Sequence, residues 1–239
     1  AAILQQGTSA MQKKVVATIS DLPEKAQQAQ IQAPAVLVIG KVCALADHLG
    51  WTQKRALDGV RVILTRPKEL ISRMLKSLSE LGAEVIELPS IDLVPCEQNE
   101  PLQTAIEDIV SYQWLAFTSA MGVRFFFDFL QKNRVDVRRL SHLRFAVIGQ
   151  GTRDELAKHG IFADLMPSSY YAKDLAQALC QTMQKGQRVL LPRARIGSKD
   201  LADILTQNGI EFTDVALYDT IYQSHNTHAV EKLIDDGQV

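Results

Sequence analysis

The sequence predicts an α/β protein with parallel β-sheets, and two observations support this prediction. Short apolar runs of strand length alternate with longer runs whose apolar residues recur at helical spacing. The run RVILT at 61–65, for example, precedes the helical pattern PKELISRMLKSLSELG, which the strand-like run EVIEL follows. Such strand–helix–strand units imply parallel strands covered by helices.

The first 57 residues form a separate block with short elements of its own. The runs KVVATI and AVLVIG are typical of strands, whereas LPEKAQQAQ and VCALADHLG are typical of helices. The charged stretch TQKRALDG at 52–59 is interpreted as a linker. We therefore expect a small amino-terminal α/β fragment over 1–57.

Residues 58–96 contain the strand–helix–strand unit and then PSIDLVP, which is flanked by prolines. The prolines indicate an extended connector rather than a core strand. Two strands are too few for a stable sheet. We therefore expect this first lobe to be incomplete, with residues 220–239 returning to it through a helix that begins near Asn226.

Residues 97–219 are expected to form a second, complete α/β lobe. Its predicted strands are WLAFT, RFAVIG, FADLM, RVLLP and FTDVALYDT. Its predicted helices begin near Leu102 and Ala120 and cover RDELAKHG, AKDLAQALCQTM and KDLADILTQNG.

Composition excludes several classes of partner and site. The formal net charge of -1 gives no bulk basic signal for nucleic acid or for an anionic membrane. No apolar run is long enough to span a bilayer, and the first residues do not resemble a signal peptide, so the cytoplasm is expected. Cys43, Cys96 and Cys180 lack metal or disulfide spacing, and the five histidines lack metal-ligand spacing, so no metal site is expected.

Four strand–helix junctions contain hydroxyl, glycine or basic groups, where open α/β sheets bind ligands. The positive end of each following helix favours carboxylates or phosphates. Alternatively, the small polar residues are only caps and turns, and the basic residues are only a solvated surface. The junctions are Thr65–Arg66, Thr118–Ser119, Gly149–Thr152 and Arg193–Ser198.

Known motifs give little support for a nucleotide-binding protein or a serine hydrolase. The GQGT loop at 149–152 lacks the third glycine of a dinucleotide fingerprint. The sequence contains neither a phosphate-binding GxxxxGK[ST] loop nor a G-x-S-x-G nucleophile elbow. Tyr218 lies near the end of the last predicted strand, where a tyrosine is more often a packing residue than an acid.

From Gly59 to Val239 the sequence resembles uroporphyrinogen-III synthases. The resemblance rests on the order and spacing of six short segments: GVRVILTRP, LGAEVIELPSIDLVP, WLAFTSAMGVRFFF, FAVIGQGTRDELAKHG, VLLPRARIGSKDLADIL and VALYDTIYQ. It implies two α/β lobes joined by two extended connector strands, PSIDLVP and LYDTIYQ. It also implies that the elements completing the first lobe are missing after Val239.

The amino-terminal block resembles the carboxyl-terminal end of uroporphyrinogen-III C-methyltransferases. The matching stretches are AAILQQGTSAMQKKVVATISDLPEKA and APAVLVIGKVCALADHLGW. This implies a piece of a bifunctional methyltransferase–synthase fusion, without methyl transfer because the glycine-rich half of that domain is absent.

The synthase resemblance implies a lyase without cofactors that acts on hydroxymethylbilane, a linear chain of four pyrroles with eight carboxylates. Tyr218 matches the family's interlobe tyrosine and is the expected catalytic residue. Two alternatives are a non-catalytic module that binds an anionic tetrapyrrole and an inactive fragment of the fusion. Self-association through the incomplete lobe is also expected. The expected substrate-binding residues are Thr118, Ser119, Gly149, Gly151, Thr152, Arg66 and Arg193.

Overall fold

The computed structural model describes residues 1–46, 48, 55–223 and 228–237. It confirms a mixed α/β fold. Parallel strand pairs occur as predicted, and antiparallel pairs, which the sequence did not predict, occur as well. The chain forms two compact units. Unit 1 consists of 1–92 and 222–239, and unit 2 consists of 93–221.

The amino-terminal part of unit 1 is a three-stranded antiparallel sheet with one short helix. Its elements are β1 (Ala2–Gln5), β2 (Lys13–Val16), α1 (Leu22–Gln28) and β3 (Ala35–Val38). The central strand is β1, which the sequence did not predict because its apolar run is short and ends at the polar pair Gln5 and Gln6. Of the helix expected over 42–50, the structure shows a 3₁₀ helix over Lys41–Leu45. Most of the remainder, with the start of the linker at 52–59, lies outside the described residues.

The rest of unit 1 contains the predicted strand–helix–strand unit and one further helix. Its elements are β4 (Arg61–Leu64), α2 (Lys68–Glu80), β5 (Glu84–Glu87) and α8 (His228–Asp235). β4 and β5 pair in parallel, as predicted. Glu84 accepts hydrogen bonds from Ala10 N at 2.8 Å and from Arg61 Nε at 3.0 Å, so the amino-terminal segment contacts β5. The predicted start of the last helix near Asn226 lies outside the described residues.

Unit 2 is built around a five-stranded sheet with the order β6-β10-β9-β7-β8. β10 pairs in parallel with β9, and β7 pairs in parallel with both β9 and β8. The strands are β6 (Ile91–Pro95), β7 (Trp114–Phe117), β8 (Arg144–Val147), β9 (Arg188–Ala194) and β10 (Glu211–Tyr222). The helices are α3 (Glu100–Glu107), α4 (Ala120–Lys132), α5 (Gly149–Ala157), α6 (Ala172–Thr182) and α7 (Asp200–Gln207).

The core of unit 2 lies on both faces of this sheet, as expected for parallel strands covered by helices. All four residues of β7 are buried, and Val189, Leu190 and Leu191 of β9 are fully buried. These strands are therefore continuous apolar runs in the sequence instead of alternating ones. Because β7 pairs in parallel with both β8 and β9, the carboxyl ends of these three strands lie at one edge of the sheet.

Two segments predicted to be extended have different outcomes in the structure. PSIDLVP, expected as an extended connector rather than a core strand, contains β6, an edge strand beside β10. Its prolines lie at or beyond its ends, where a missing N–H disrupts no inner pairing. FADLM, expected as a strand, forms only one isolated bridge, between Leu165 and Ala146. Phe162 is 78% exposed, so the apolar residue that suggested a strand contributes no burial there.

Glu155 of α5 joins two helices of unit 2 through charge pairs. Its carboxylate lies 3.5 Å from Arg124 Nε of α4 and 2.5 Å from Lys158 Nζ, just after α5. Burial raises the pKa of Glu155, but the hydrogen bond and charge of Lys158, together with Arg124, outweigh burial and lower it overall. The ionised carboxylate therefore stabilises the folded state.

The pKa of Glu155 is lower in the folded protein than its ordinary value of 4.5, so the ionised carboxylate stabilises the fold fully above pH 4.5. This contribution is lost as the pH falls through the pKa that Glu155 has in the folded protein. We expect Glu155→Gln to lower the free energy of unfolding by about 1 kcal/mol at pH 7 and by progressively less below pH 4.5. Urea unfolding from pH 7 to pH 3 measures this. Glu107→Gln, which replaces an exposed glutamate paired with uncharged Gln103, is the matched control. A Glu155→Gln deficit that is constant across this range would contradict the assignment.

Candidate functional site

Polar residues predicted from the sequence gather at the carboxyl-terminal edge of the unit 2 sheet. Thr118 and Ser119 directly follow β7, and Gly149 lies two residues after the end of β8. Tyr218 of β10 pairs with Ala194, the last residue of β9. Because β7, β8, β9 and β10 run in the same direction, these residues share one edge.

Tyr218 is buried at this edge and is held by two contacts with one helix and its cap. Only 6% of the residue is exposed. Its hydroxyl lies 3.1 Å from Ser119 Oγ, and its ring centroid lies 5.0 Å from that of Phe125 in α4. The β10–β9 register shifts between Ala216 and Tyr218, an irregularity of the kind that redirects side chains. The structure therefore brings two predicted site residues, Tyr218 and Ser119, into direct contact.

Ser119 is also the cap of α4, as the alternative interpretation of this junction predicts. Its backbone is extended, and its Oγ accepts a hydrogen bond from Gly122 N at 2.9 Å. A Cβ on Gly122 would lie 3.2 Å from Ser119 Oγ and 3.4 Å from Pro192 O, so a larger residue would press on the cap and on β9. Thr118, the preceding residue, is half-buried.

The GQGT segment is helical rather than the loop that the sequence predicted. Gly149 begins α5, and Gly151 and Thr152 lie in its first turn. Gly149 has a φ of +75°, and a Cβ there would lie 2.5 Å from the ring of Tyr170. Thr152 is 5% exposed, whereas a Cβ on Gly151 would meet open space. The first N–H groups of an α-helix have no acceptor within the helix, and helix starts of this kind bind anions in other proteins.

Arg193 is engaged by other parts of unit 2. Its Nε donates to Asp214 Oδ1 at 2.9 Å, Nη2 bonds the second oxygen of Asp214, and Nη1 donates to Ser198 O at 2.6 Å. The hydrogen bond with Asp214 raises the pKa of Arg193. This guanidinium therefore holds β9 to β10 and fixes the segment after β9. Its expected contact with substrate stays a prediction.

Arg195 and Phe125 make contacts near Tyr218 that were not predicted. Arg195 donates to Asp219 Oδ1 at 2.7 Å and to Cys96 Sγ at 3.2 Å, which joins the end of β9 to the residue after Tyr218. Burial raises the pKa of Cys96, while Arg195 lowers it, and the overall direction is upward. Phe125 lies in the run FFFDFL, whose helical spacing indicated a packing helix but not which ring would face Tyr218.

Arg66 is the one predicted site residue in unit 1. It is exposed and lies between β4 and α2, so the unit 2 sheet does not position it. Among the described residues, no group of three or more histidine, cysteine or acidic side chains could hold a metal ion. In the same residues, no helix is both long enough and apolar enough to cross a membrane.

Comparison with known proteins identifies the relatives of this chain. The family model described as uroporphyrinogen-III synthase HemD matches residues 72–239. The porphyrin biosynthesis protein HemD of Ruminiclostridium josui is 37% identical over 239 residues, which is 100% of this chain and 47% of that protein. The uroporphyrinogen-III synthase of Synechococcus elongatus is 31% identical over 171 residues, 70% of this chain and 63% of that protein. The chain thus spans less than two thirds of either relative.

The fold is similar to a solved structure. A mutant uroporphyrinogen III synthase from the extremely thermophilic bacterium Thermus thermophilus matches with a TM-score of 0.54 and 14% identity, over 75% of this chain and 70% of that one. At this identity the match shows a shared fold.

The two glycines at the start of α5 give a matched test of the local geometry. We expect Gly149→Ala to lower the free energy of unfolding by about 1–3 kcal/mol, because an alanine disfavours a positive φ. Tyr170 is largely exposed, so its ring can move away from the new methyl group. Gly151→Ala, two residues later in the same helix, should instead stabilise by about 0.5–1 kcal/mol. Urea unfolding of the two variants measures this, and equal stabilities would contradict the described start of α5.

Proposed function

The chain belongs to the uroporphyrinogen-III synthase family, and we propose that it closes hydroxymethylbilane into a macrocycle with the last pyrrole inverted and water released. One observation supports this most strongly. A buried tyrosine, Tyr218, lies at the carboxyl edge of a parallel sheet with its hydroxyl beside a second hydroxyl, that of Ser119. Ligands of open α/β sheets bind at this edge.

The same edge offers groups for the carboxylates of the substrate. The N-termini of α4 and α5 present backbone N–H groups and the positive ends of two helix dipoles. We assign Thr118, Gly149, Gly151 and Thr152 to carboxylate binding on this basis. For Ser119 the backbone is the binding group, because its Oγ already contacts Gly122 N and Tyr218.

Arg66 and Arg193 are proposed as charge partners of the substrate carboxylates. Arg66 is exposed. Arg193 already shares its charge with Asp214, so any carboxylate that it binds must share the guanidinium or displace Asp214. We therefore expect the backbone groups to contribute more to binding than either arginine.

Tyr218 is proposed as the acid that assists the leaving group. The C–O bond of the terminal hydroxymethyl group breaks while the Tyr218 phenol gives its proton to the departing oxygen, so water leaves and a phenolate remains. The adjacent pyrrole nitrogen supplies the electron pair to the carbon that loses the oxygen. A positioned acid of this kind contributes about 10²–10⁴-fold to a rate.

Ring inversion then requires attack by the substituted carbon of the last pyrrole on the carbon that lost water. In the resulting spiro intermediate the bond from that pyrrole carbon to its original methylene bridge breaks, and the methylene carbon bonds the free α-carbon of the last pyrrole. The proton that this α-carbon loses when the ring becomes aromatic again returns to the Tyr218 phenolate. Without an enzyme the same substrate closes to the uninverted isomer. Holding the reactive ends in the inverting geometry is therefore the main task, and orientation of this kind is worth up to about 7–11 kcal/mol.

The finer architecture is part of the proposal. The chain passes between its units at 92/93 and 221/222, within β6 and near the end of β10, which supports two lobes joined by two extended strands. We keep the predicted divisions, 58–96 and 220–239 for the first lobe and 97–219 for the second. A methyltransferase-derived segment over 1–57 stays part of the proposal. The whole-length similarity to HemD of R. josui supports only that a relative shares the residues before the family match at 72.

The isomer ratio of the product tests the proposed reaction. The chain is incubated with freshly prepared hydroxymethylbilane, and the oxidised porphyrin isomers are separated by chromatography. We expect an excess of the type III isomer over the reaction without protein. Type I alone, at the uncatalysed rate, would contradict synthase activity and favour the tetrapyrrole-binding alternative.

The acid role is tested by removing one hydroxyl. We expect Tyr218→Phe to slow type III formation by about 10²–10⁴-fold, since only the proton donor is lost. Tyr112→Phe is the matched control: this tyrosine is 3% exposed, and its hydroxyl bonds Thr213 Oγ1 at 2.9 Å, so it also loses one buried hydrogen bond. The control should keep the wild-type rate. Equal rates for the two variants would exclude Tyr218 as the acid.

A further inference from the structure

The Ser119 hydroxyl has two neighbours whose hydrogen-bonding needs differ. Gly122 N–H donates to Ser119 Oγ at 2.9 Å, which uses one lone pair of the serine. The Tyr218 oxygen lies 3.1 Å from the same Oγ, in a pair where either hydroxyl can donate. Each hydroxyl has one hydrogen to donate and two lone pairs to accept with. The direction of this one bond therefore decides where the Tyr218 hydrogen points.

The bound substrate decides between the two directions. Within the described part of the chain, each of the two hydroxyls has the other as its hydrogen-bonding partner, so without substrate either direction leaves one hydrogen without a protein acceptor. When the leaving oxygen of the substrate lies at Tyr218, donation by Ser119 lets both hydrogens bond, one to the Tyr218 oxygen and one to the substrate. Donation by Tyr218 would leave both the serine hydrogen and the substrate oxygen without these partners, which costs free energy.

We infer that Ser119 is a positioning residue that donates its hydroxyl hydrogen to the Tyr218 oxygen and so directs the Tyr218 hydrogen to the substrate. The inference rests on the proposed acid role of Tyr218. The serine acts through the tyrosine and needs no contact with the reacting atoms. This differs from the carboxylate-binding role that the sequence predicts for it.

The same bond favours the charge that forms during proton transfer. When the Tyr218 phenol gives up its proton, negative charge develops on its oxygen, and the Ser119 O–H already points at that oxygen. Gly122 N–H donates to Ser119 Oγ at the positive end of α4, a helix of 13 residues, and so makes the Ser119 hydroxyl a stronger hydrogen-bond donor. Phe125, in the second turn of α4, contacts the ring of Tyr218. One helix start therefore holds both the ring and the oxygen of the tyrosine.

Three substitutions separate positioning from helix capping. Ser119→Ala removes the hydroxyl and the cap, whereas Ser119→Gly removes the hydroxyl at a capping cost of only about a few tenths of a kcal/mol. Ser119→Thr keeps both functions. We expect the alanine and glycine variants to lose about 10- to 100-fold in kcat for type III formation, as for loss of a hydrogen bond to a charged group. KM should stay within about twofold, and threonine should restore most of kcat.

The kinetic outcomes distinguish the two roles. A raised KM with wild-type kcat would assign the Ser119 hydroxyl to carboxylate binding and overturn the inference. Wild-type kcat in Ser119→Gly, with a loss in Ser119→Ala alone, would show that only the cap matters and would also overturn it. Urea unfolding of each variant confirms that the rates refer to folded protein.

A spectroscopic measurement tests the hydrogen bond apart from any activity. The infrared C–O band of the Tyr218 phenol is assigned as the tyrosine band that Tyr218→Phe removes. We expect Ser119→Ala and Ser119→Gly to shift this band and Ser119→Thr to leave it in place. An unshifted band in Ser119→Gly would overturn the inference whether or not the chain forms the type III isomer. A shifted band in a chain without synthase activity would support the bond while the proposed function fails.

Discussion

Parallel pairing of β10, β9, β7 and β8 is the constraint on which the unit 2 site depends. It places the carboxyl ends of sequentially distant strands at one edge, so residues 99 positions apart, Ser119 and Tyr218, meet there. The pairing is enforced by burial, because the inner strands β7 and β9 are covered on both faces and a slipped register would expose or misplace their apolar side chains. The packed sheet therefore fixes the relative positions of the Ser119 and Tyr218 hydroxyls.

The contacts around Tyr218 show how this edge limits its freedom. Ser119 bonds its oxygen and Phe125 contacts its ring. Tyr218 O accepts from Arg195 N at 2.9 Å, so the segment after β9 also holds its backbone. The neighbouring ion pairs of Arg193 with Asp214 and of Arg195 with Asp219 join the same two strands. The value of the Arg195–Asp219 pair is geometric, because exposed ion pairs contribute little free energy of folding.

Local patterns predicted most helices and strands of unit 2, and family resemblance predicted Tyr218, but neither predicted how the site is assembled. The bond between Ser119 and Tyr218 depends on strand order and on the register shift in β10, which are long-range properties without a local signal. Long-range packing without a local signal also explains the wrong predictions for GQGT and FADLM. GQGT has the composition of a loop, yet its glycine at 149 starts a helix beneath Tyr170. FADLM has strand composition, but only Leu165 packs against the core, and Phe162 and Met166 are exposed.

The central claim is that Ser119 and Tyr218 act as one unit, and a double-mutant cycle tests it most directly. Initial rates of type III formation are compared for Ser119→Ala, Tyr218→Phe and the double variant. If the serine acts through the tyrosine hydroxyl, the double variant should be about as slow as Tyr218→Phe alone, because the serine has no effect once that hydroxyl is absent. If the two rate losses multiply, the residues act independently and the account of the site is wrong.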